Sequence, residues 1–410
     1  MKFEELNLDK NLIKAINEIG ISEPTLIQEK SIPIIKTGKD LMAQSETGSG
    51  KTIAFAIPIL ERINKIGKIQ CLVLVPTREL AEQVAQEFYK FSKYKKVSIT
   101  SVYGGVSINP QIINLRFADV VVATPGRLLD HLNRKTINLN NLKFLVLDEA
   151  DKMFEMGFID DVKKIINHTP KNKQTVLFSA TLSSLILDIA RRYMNSPQSI
   201  KANVYVDKTL LTQVYYNVNS RDKFSLLLHL IKQENPELSI VFCSTRDNTD
   251  IIAKNLHKNG IKAMAIHGGH SQNKRNLIMK EFHAGKLHVL VATDVAARGL
   301  DIKNVTHIFN YDIPKISNEY VHRIGRTARA GKSGKAISIL SENDYDNFRR
   351  VLEDRSLIIK KENLPEFQRV QFNVRFEREH DDKRRSFRRE LGNNNRNFGH
   401  KRPFRKSFRR

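Results

Sequence analysis

What most limits the folds open to this chain is a series of short, unbroken apolar runs, each stopping abruptly at a polar cluster. Cys71-Leu72-Val73-Leu74-Val75 stops at Pro76-Thr77-Arg78-Glu79-Leu80-Ala81. Val120-Val121-Val122-Ala123 stops at Thr124-Pro125-Gly126-Arg127, and Phe144-Leu145-Val146-Leu147 at Asp148-Glu149-Ala150-Asp151. Thr175-Val176-Leu177-Phe178 stops at Ser179-Ala180-Thr181. Such runs are too short for helices, and runs without polar alternation belong to strands covered on both faces. A parallel sheet flanked by helices follows, and ligands of such sheets bind beyond the carboxyl ends of the strands, where all these clusters fall. The rhythm pauses near residues 202–210 and restarts with runs at 240–243, 263–266, 288–291, 305–309 and 336–340. A chain of 410 residues accommodates two such α/β domains and something extra.

Between the first strand (39–43) and an apolar helix (53–60, containing Pro58) lies Ser45-Glu46-Thr47-Gly48-Ser49-Gly50-Lys51-Thr52. It ends as a phosphate-binding loop ends, although Ser45 replaces the usual first glycine. Gly48 and Gly50 let backbone N–H groups approach phosphate oxygens. Lys51 would reach the β- and γ-phosphates of ATP, and Thr52 would ligate Mg²⁺. Asp148 would hold the Mg²⁺ directly or through water, and Glu149 would orient or deprotonate the attacking water. A strand ending in carboxylates can also be a helix cap, but the upstream loop favours the chemical role. Upstream, residues 1–38 read as helical, with Leu8, Leu12, Ile13, Ile16 and Ile19 on one face and Gly20 as the stop. The Gln28 amide offers a donor and an acceptor that match the edge of adenine.

No second phosphate loop occurs after residue 205. Instead Arg323, Arg326 and Arg329 recur at i, i+3 and i+6, which predicts one helical face able to supply arginine fingers across a cleft, or else a solvated basic face. Order is expected to fade after about residue 350. Residues 371–410 carry fourteen basic against five acidic residues, with Phe376, Phe387, Phe398, Phe404 and Phe408 interleaved. Such a stretch cannot bury a core, and it suits phosphates and stacked bases. The formal charge of +24 points to a polyanion, nucleic acid first and an anionic membrane second.

No apolar run approaches the ~20 residues of a membrane span. The acidic, mixed start Met1-Lys2-Phe3-Glu4-Glu5 is not a signal peptide. Cys71 and Cys243, each inside an apolar run, read as buried thiols of a reducing compartment, and the chain as cytoplasmic. His267 and His270 lie close in sequence but lack a neighbouring Cys or carboxylate, so they read as ordinary residues.

Taken together, these motifs resemble the DEAD-box family of ATP-dependent RNA helicases, over about residues 1–345. They run in order through Phe3 with Pro24 to Gln28, Ser45 to Thr52, Pro76 to Ala81, Gly104-Gly105, Thr124 to Arg127, Asp148 to Asp151, Ser179 to Thr181, Val241 to Arg246, His267 to Arg275, Thr293 to Asp301 and His322 to Arg329. The wording of the last motif and the basic tail look most like the bacterial RhlE branch. Leu26, Ile21 and Ala328 stand where the family often has proline, an aromatic residue and glycine. The resemblance implies two RecA-like domains, residues 1–204 and 205–350, and a disordered RNA-binding tail, 351–410. It implies that Phe3 stacks on adenine, Gln28 reads its edge, Asp301 touches the ribose, and Arg326 and Arg329 reach the γ-phosphate. Ser179 and Thr181 would couple hydrolysis to domain closure, with His322 across the cleft. RNA would run along Pro76, Thr77, Arg78, Gly104, Gly105, Thr124, Pro125, Gly126, Arg127, Thr245, Arg246, Gly268, Gln272 and Thr293. The core would be monomeric, with ribosomal or RNA-decay proteins as possible partners. A DNA translocase on the same scaffold and a non-enzymatic RNA chaperone stay open at this point.

Overall fold

The computed structural model describes residues 2–45, 48–202, 210–297, 305–328 and 332–374. Seven parallel strands form the first sheet: β1 (Leu41–Ser45), β2 (Cys71–Leu74), β3 (Ile99–Val102), β4 (Val120–Ala123), β5 (Phe144–Leu147), β6 (Gln174–Ser179) and β7 (Gln198–Ala202). Their order is β3-β4-β2-β5-β6-β1-β7. The second sheet is built from β8 (Leu211–Asn217), β9 (Ser239–Phe242), β10 (Ala263–Ile266), β11 (Val289–Ala292), β12 (His307–Asn310), β13 (Gly334–Leu340) and β14 (Lys360–Lys361). Its order is β10-β11-β9-β12-β13-β8-β14, the first order with every label raised by seven. The expected doubled α/β architecture is therefore present, with one winding used twice.

Period-two alternation splits each unbroken run between two cores. Cys71, Val73, Phe144, Val146, Val176 and Phe178 pack on one face with helix Lys51–Arg62. Leu72, Leu74, Leu145, Leu147 and Leu177 pack on the other with helices Ile159–Asn167 and Ser184–Tyr193. Helix Lys51–Arg62 buries every residue from Ile53 to Leu60. Pro58 removes one backbone donor, but burial on all sides holds the helix through it. Both cysteines are free and buried, as expected.

The N-terminal segment divides into helices Lys10–Glu18 and Leu26–Lys36 around Gly20, whose φ is +78°. Phe3 requires a correction. It is 0% exposed, inside the same core as Phe55 and Phe178. Extracting a buried phenyl ring costs about 1.5–3 kcal/mol. Phe3 is thus a core residue, not an adenine platform.

Past residue 350 the chain stays fastened longer than composition suggested. Lys360–Lys361 pair with β8. Phe367 lies 6.2 Å from the His229 ring, and Arg369 Nε sits 2.8 Å from Asp222 Oδ1. The Val370 N–H donates to Ser225 Oγ at 3.1 Å. These contacts need a few polar groups rather than an apolar run, so hydrophobicity does not announce them. Glu46, Thr47, Asp301, Arg329, residues 203–209 of the boundary expected near 202–210, and the basic stretch 375–410 lie outside the described residues. Among the described residues no helix is long and apolar enough to cross a membrane.

Ala328 adopts φ 53°, a left-handed conformation that a Cβ disfavours. Ala328→Gly removes that strain at the cost of a looser unfolded chain, for a net gain of about 0.5–1 kcal/mol. Denaturant titration of both proteins would read the gain, and an unchanged or lower midpoint would refute it.

Candidate active site

Gly48 and Gly50 adopt φ of 88° and 89°, as an anion-wrapping loop requires. A Cβ on Gly50 would stand 2.3 Å from Gln28 Nε2, so glycine alone fits. Gln28 Nε2 donates to the Gly50 carbonyl at 2.9 Å, and Gln28 Oε1 accepts from the Thr25 N–H at 3.0 Å. Thr25 Oγ1 donates to the Ser49 carbonyl at 2.8 Å. Helix Leu26–Lys36 is thereby strapped to the carbonyls of the loop. The Gln28 amide retains one N–H and one lone pair for a base edge. Ser45 Oγ is buried and has no hydrogen-bond partner among the described residues. A glycine-only cradle, an unpartnered buried hydroxyl and Lys51 at the first turn of the helix fit a triphosphate. The half-buried Thr52 and the carboxylate of Asp148 are an oxygen donor set that suits Mg²⁺.

At the end of β5 four ionisable side chains are almost wholly enclosed. Lys51 Nζ lies 3.7 Å from Asp148 Oδ1, and Lys152 Nζ lies 3.1 Å from Glu149 Oε1. Burial pushes the Asp148 carboxyl up to about 6, with Lys51 opposing and Glu149 adding to the rise. Burial works the same way on Glu149, but Lys152, Lys51 and Arg326 outweigh it and hold that carboxyl at about 2. Glu149 also has a strained left-handed backbone, φ 51°. Asp151 Oδ2 accepts from the N–H groups of Ala180 and Thr181, both at 3.0 Å. Ser179 Oγ donates to the Thr181 carbonyl at 2.6 Å. The Ser179 and Thr181 loop is therefore wired to the carboxylate cluster. Reading the sequence missed Asp151 and Lys152 as working parts, because their importance comes from burial.

From the second half, Arg326 brings its positive charge to bear on Glu149. His322 and Arg326 line a small cavity with Glu319 and Asp294. The idea of one helical arginine face fails: helix Ser317–Ile324 ends before residue 326. Arg323 turns inward, with Nε and Nη2 at 2.6 and 2.7 Å from the Asp294 carboxylate and its guanidinium 4.9 Å over Phe242. It is a structural clamp and not a finger. Three further ties cross between the halves. Glu79 Oε1 accepts from Gln272 Nε2 at 3.1 Å and lies 2.9 Å from Arg275 Nη2, while Asn318 Nδ2 donates to Glu155 at 3.3 Å. Gln272, expected on RNA, is only 4% exposed and acts here as one of these ties.

The remaining expected nucleic-acid residues fall into matched sets. Thr77 and Thr245 each cap the helix after the second strand of their sheet, accepting from Leu80 N–H at 3.3 Å and Asn248 N–H at 3.1 Å. Each cap is followed by an arginine packed on a glycine turn, Arg78 on Gly104-Gly105 and Arg246 on Gly268. Arg127 Nη2 braces the same first turn through the Val106 carbonyl at 3.1 Å. Thr124 and Pro125 open helix Pro125–Asn133, where a Cβ on Gly126 would meet open space. Pro76 directly precedes the Thr77 cap, and Thr293 directly precedes helix Asp294–Ala297. Helix N-termini of this kind favour phosphate groups. Gly105 has φ 82°, and a Cβ there would fall 1.8 Å from Arg78 Nη1. Gly105→Ala should eject the guanidinium, lower affinity for single-stranded nucleic acid, and flatten its salt slope by about 0.7 for one lost phosphate contact. Fluorescence anisotropy across a salt series tests this, and an unchanged slope would remove Arg78 from the interface.

The second sheet repeats the frame of the nucleotide site without its loop. Lys51 opens a helix six residues after β1 ends, and Lys223 opens one six residues after β8 ends. Lys223 Nζ lies 3.9 Å from Asp312, beyond the central strand β12, much as Lys51 lies beside Asp148. Asp344, 2.6 Å from the same ammonium, closes the position.

Comparison with known proteins agrees with this geometry. Residues 25–189 match the DEAD/DEAH box helicase family, and residues 222–331 match the helicase conserved C-terminal domain. The ATP-dependent RNA helicase CshA of Listeria monocytogenes is 46% identical over 356 residues, covering 86% of this chain and 68% of that protein. The DEAD-box ATP-dependent RNA helicase CshA of Bacillus subtilis is 45% identical over 352 residues, 85% of this chain and 71% of that one. Among solved structures, S. cerevisiae Dbp5 bound to RNA and ADP BeF3 matches with a TM-score of 0.80 at 30% identity, over 88% of this chain and 95% of that one. A DEAD box protein from Methanococcus jannaschii matches at 0.54 with 44% identity, over 88% and 99%. With its phosphate loop, its buried Asp148-Glu149-Ala150-Asp151 cluster and its twice-used parallel sheet, the chain belongs to the DEAD-box helicase family.

Proposed function

We propose that this protein is an ATP-dependent RNA helicase that binds RNA along its backbone, hydrolyses ATP, and melts short RNA duplexes or remodels RNA–protein complexes. The observation that carries the reading is the meeting of both halves at Glu149. That residue caps the helix that follows β5, near Lys51 of the phosphate loop, and feels the charge of Arg326 from the second half. Hydrolysis then depends on closure, and closure depends on what binds both halves.

Each residue has a derived task. Lys51 neutralises the outer phosphates, and the glycine loop presents N–H groups to them. Glu149, held ionised, accepts a hydrogen bond from water and so orients it; a carboxylate of such low basicity is a weak proton acceptor. Mg²⁺ held by Thr52 and Asp148 would supply positive charge at the phosphate oxygens. Arg326 stabilises charge developing on the transferred phosphoryl group. Asp151 passes the state of the site to Ser179 and Thr181. RNA phosphates dock on the two capped helices, and closure bends the strand away from its duplex partner. A base-pair step is worth ~1.4 kcal/mol in DNA, and on a similar scale for RNA a few steps lie within reach of binding energy. Residues 1–204 and 205–350 serve as the two working halves, with the basic tail adding affinity.

Steady-state ATPase measured without nucleic acid, with single-stranded RNA and with DNA of the same sequence tests the proposal. Stimulation by RNA alone is expected. Equal stimulation by DNA would make the protein a DNA translocase.

A further inference from the structure

We propose that Asp250, His267 and His270 form a binding site for a divalent transition-metal ion of the zinc type, at the carboxyl ends of β9 and β10. The donor atoms of the three side chains lie within 4.8 Å of one another. His267 Nε2 is 3.0 Å from Asp250 Oδ2, and His270 Nε2 is 3.7 Å from Asp250 Oδ1. Ligands around a tetrahedral zinc ion with bonds of about 2.0–2.1 Å stand roughly 3.3 Å apart, a value these two distances straddle. Two imidazoles, one carboxylate and an open fourth position form a donor set that zinc favours. The rings are buried and the carboxylate is 41% exposed, so the site opens to solvent on the carboxylate side.

Sequence proximity paired the histidines but hid the carboxylate, which comes from helix Arg246–Lys258, 17 residues before His267. His270 is poorly accounted for otherwise. Its Nδ1 is buried without a hydrogen-bond partner among the described residues. Its Nε2 faces the Lys274 ammonium at 3.1 Å, so positive charge already sits where the metal would bind. Lys274 is exposed and is free to swing aside. His267 Nδ1 accepts from the Gly269 N–H at 3.1 Å, which leaves its proton on Nε2. Coordination through Nε2 moves that proton to Nδ1, exchanges the Gly269 contact for a metal bond, and resets the turn at Gly268-Gly269. The ion would fasten helix Arg246–Lys258 to the start of helix Gln272–His283, the helix that reaches Glu79.

The test is titration of the chelator-treated full chain with Co²⁺, followed by visible d–d absorption and displacement by Zn²⁺. One equivalent with a four- or five-coordinate spectrum is expected. Asp250→Asn and His270→Leu should each weaken binding by more than the about 10–100-fold that loss of an outer-shell partner costs, while Lys274→Met should tighten it. Asp250→Asn is nearly isosteric at a half-exposed position and keeps the test valid if the histidine variant misfolds. Absence of binding, or the same affinity and spectrum in wild type and both ligand variants, would overturn the site.

Discussion

Glu149→Gln should lower RNA-stimulated ATPase by about 10²–10³-fold, the cost of losing one preorganised polar contact to the reacting groups. The amide still accepts a hydrogen bond but carries no charge, so water is held less firmly at the point of attack. ATP and RNA binding should survive, because neither Lys51 nor the capped helices are touched. RNA bound with ATP should dissociate more slowly, since the step that reopens the halves is lost. The substitution also leaves Lys152 enclosed without its counter-charge at 3.1 Å, so folding must be checked by circular dichroism beside the kinetics. Normal ATPase in a folded Glu149→Gln protein would sink the active-site assignment.

The second large effect belongs to Arg326. Arg326→Ala should cost about 10³–10⁵ in turnover, the worth of an arginine finger at a phosphoryl group. Arg326→Lys should restore little, because an ammonium lacks the planar fork. Neither change should weaken ATP binding to the first half much. Arg323→Ala, only three residues away, should behave differently. It strands Asp294 and removes packing from Phe242, so it should destabilise the second half by about 3–5 kcal/mol. Thermal melts and ATPase of the two alanine variants separate a chemical arginine from a structural one. If both lose stability and neither loses turnover while folded, Arg326 is no finger.

The strands most readily read from sequence were those in the middle of each sheet. β2, β4 and β5 are apolar at every position because helices cover both faces. β3 alternates in burial, β7 is mostly exposed, and β14 is a pair of exposed lysines, so no apolar run marks them. The phosphate loop and the Asp148-Glu149 pair were legible because local spacing fixes their chemistry. Partners brought from far along the chain were not. Glu79 with Arg275, Asp294 with Arg323, and Asp250 with His267 all join separate elements. Arg323 and Arg326 looked equivalent by periodicity, and only the end of the helix at Ile324 separates them.

The matching placement of Lys51 and Lys223 speaks to ancestry. A duplicated strand winding with a lysine at the same offset is what a doubled gene leaves when one copy surrenders its substrate. In the second copy Asp312, 3.9 Å from the ammonium, keeps the place of Asp148, and Asp344, at 2.6 Å, stands in for the phosphates. That half therefore carries its counter-charge permanently and has no need of a nucleotide to settle its fold. Protection by ATP against heat or protease, measured without RNA and so before closure, should fall on the first half alone, leaving the second as a fixed jaw against which the other works.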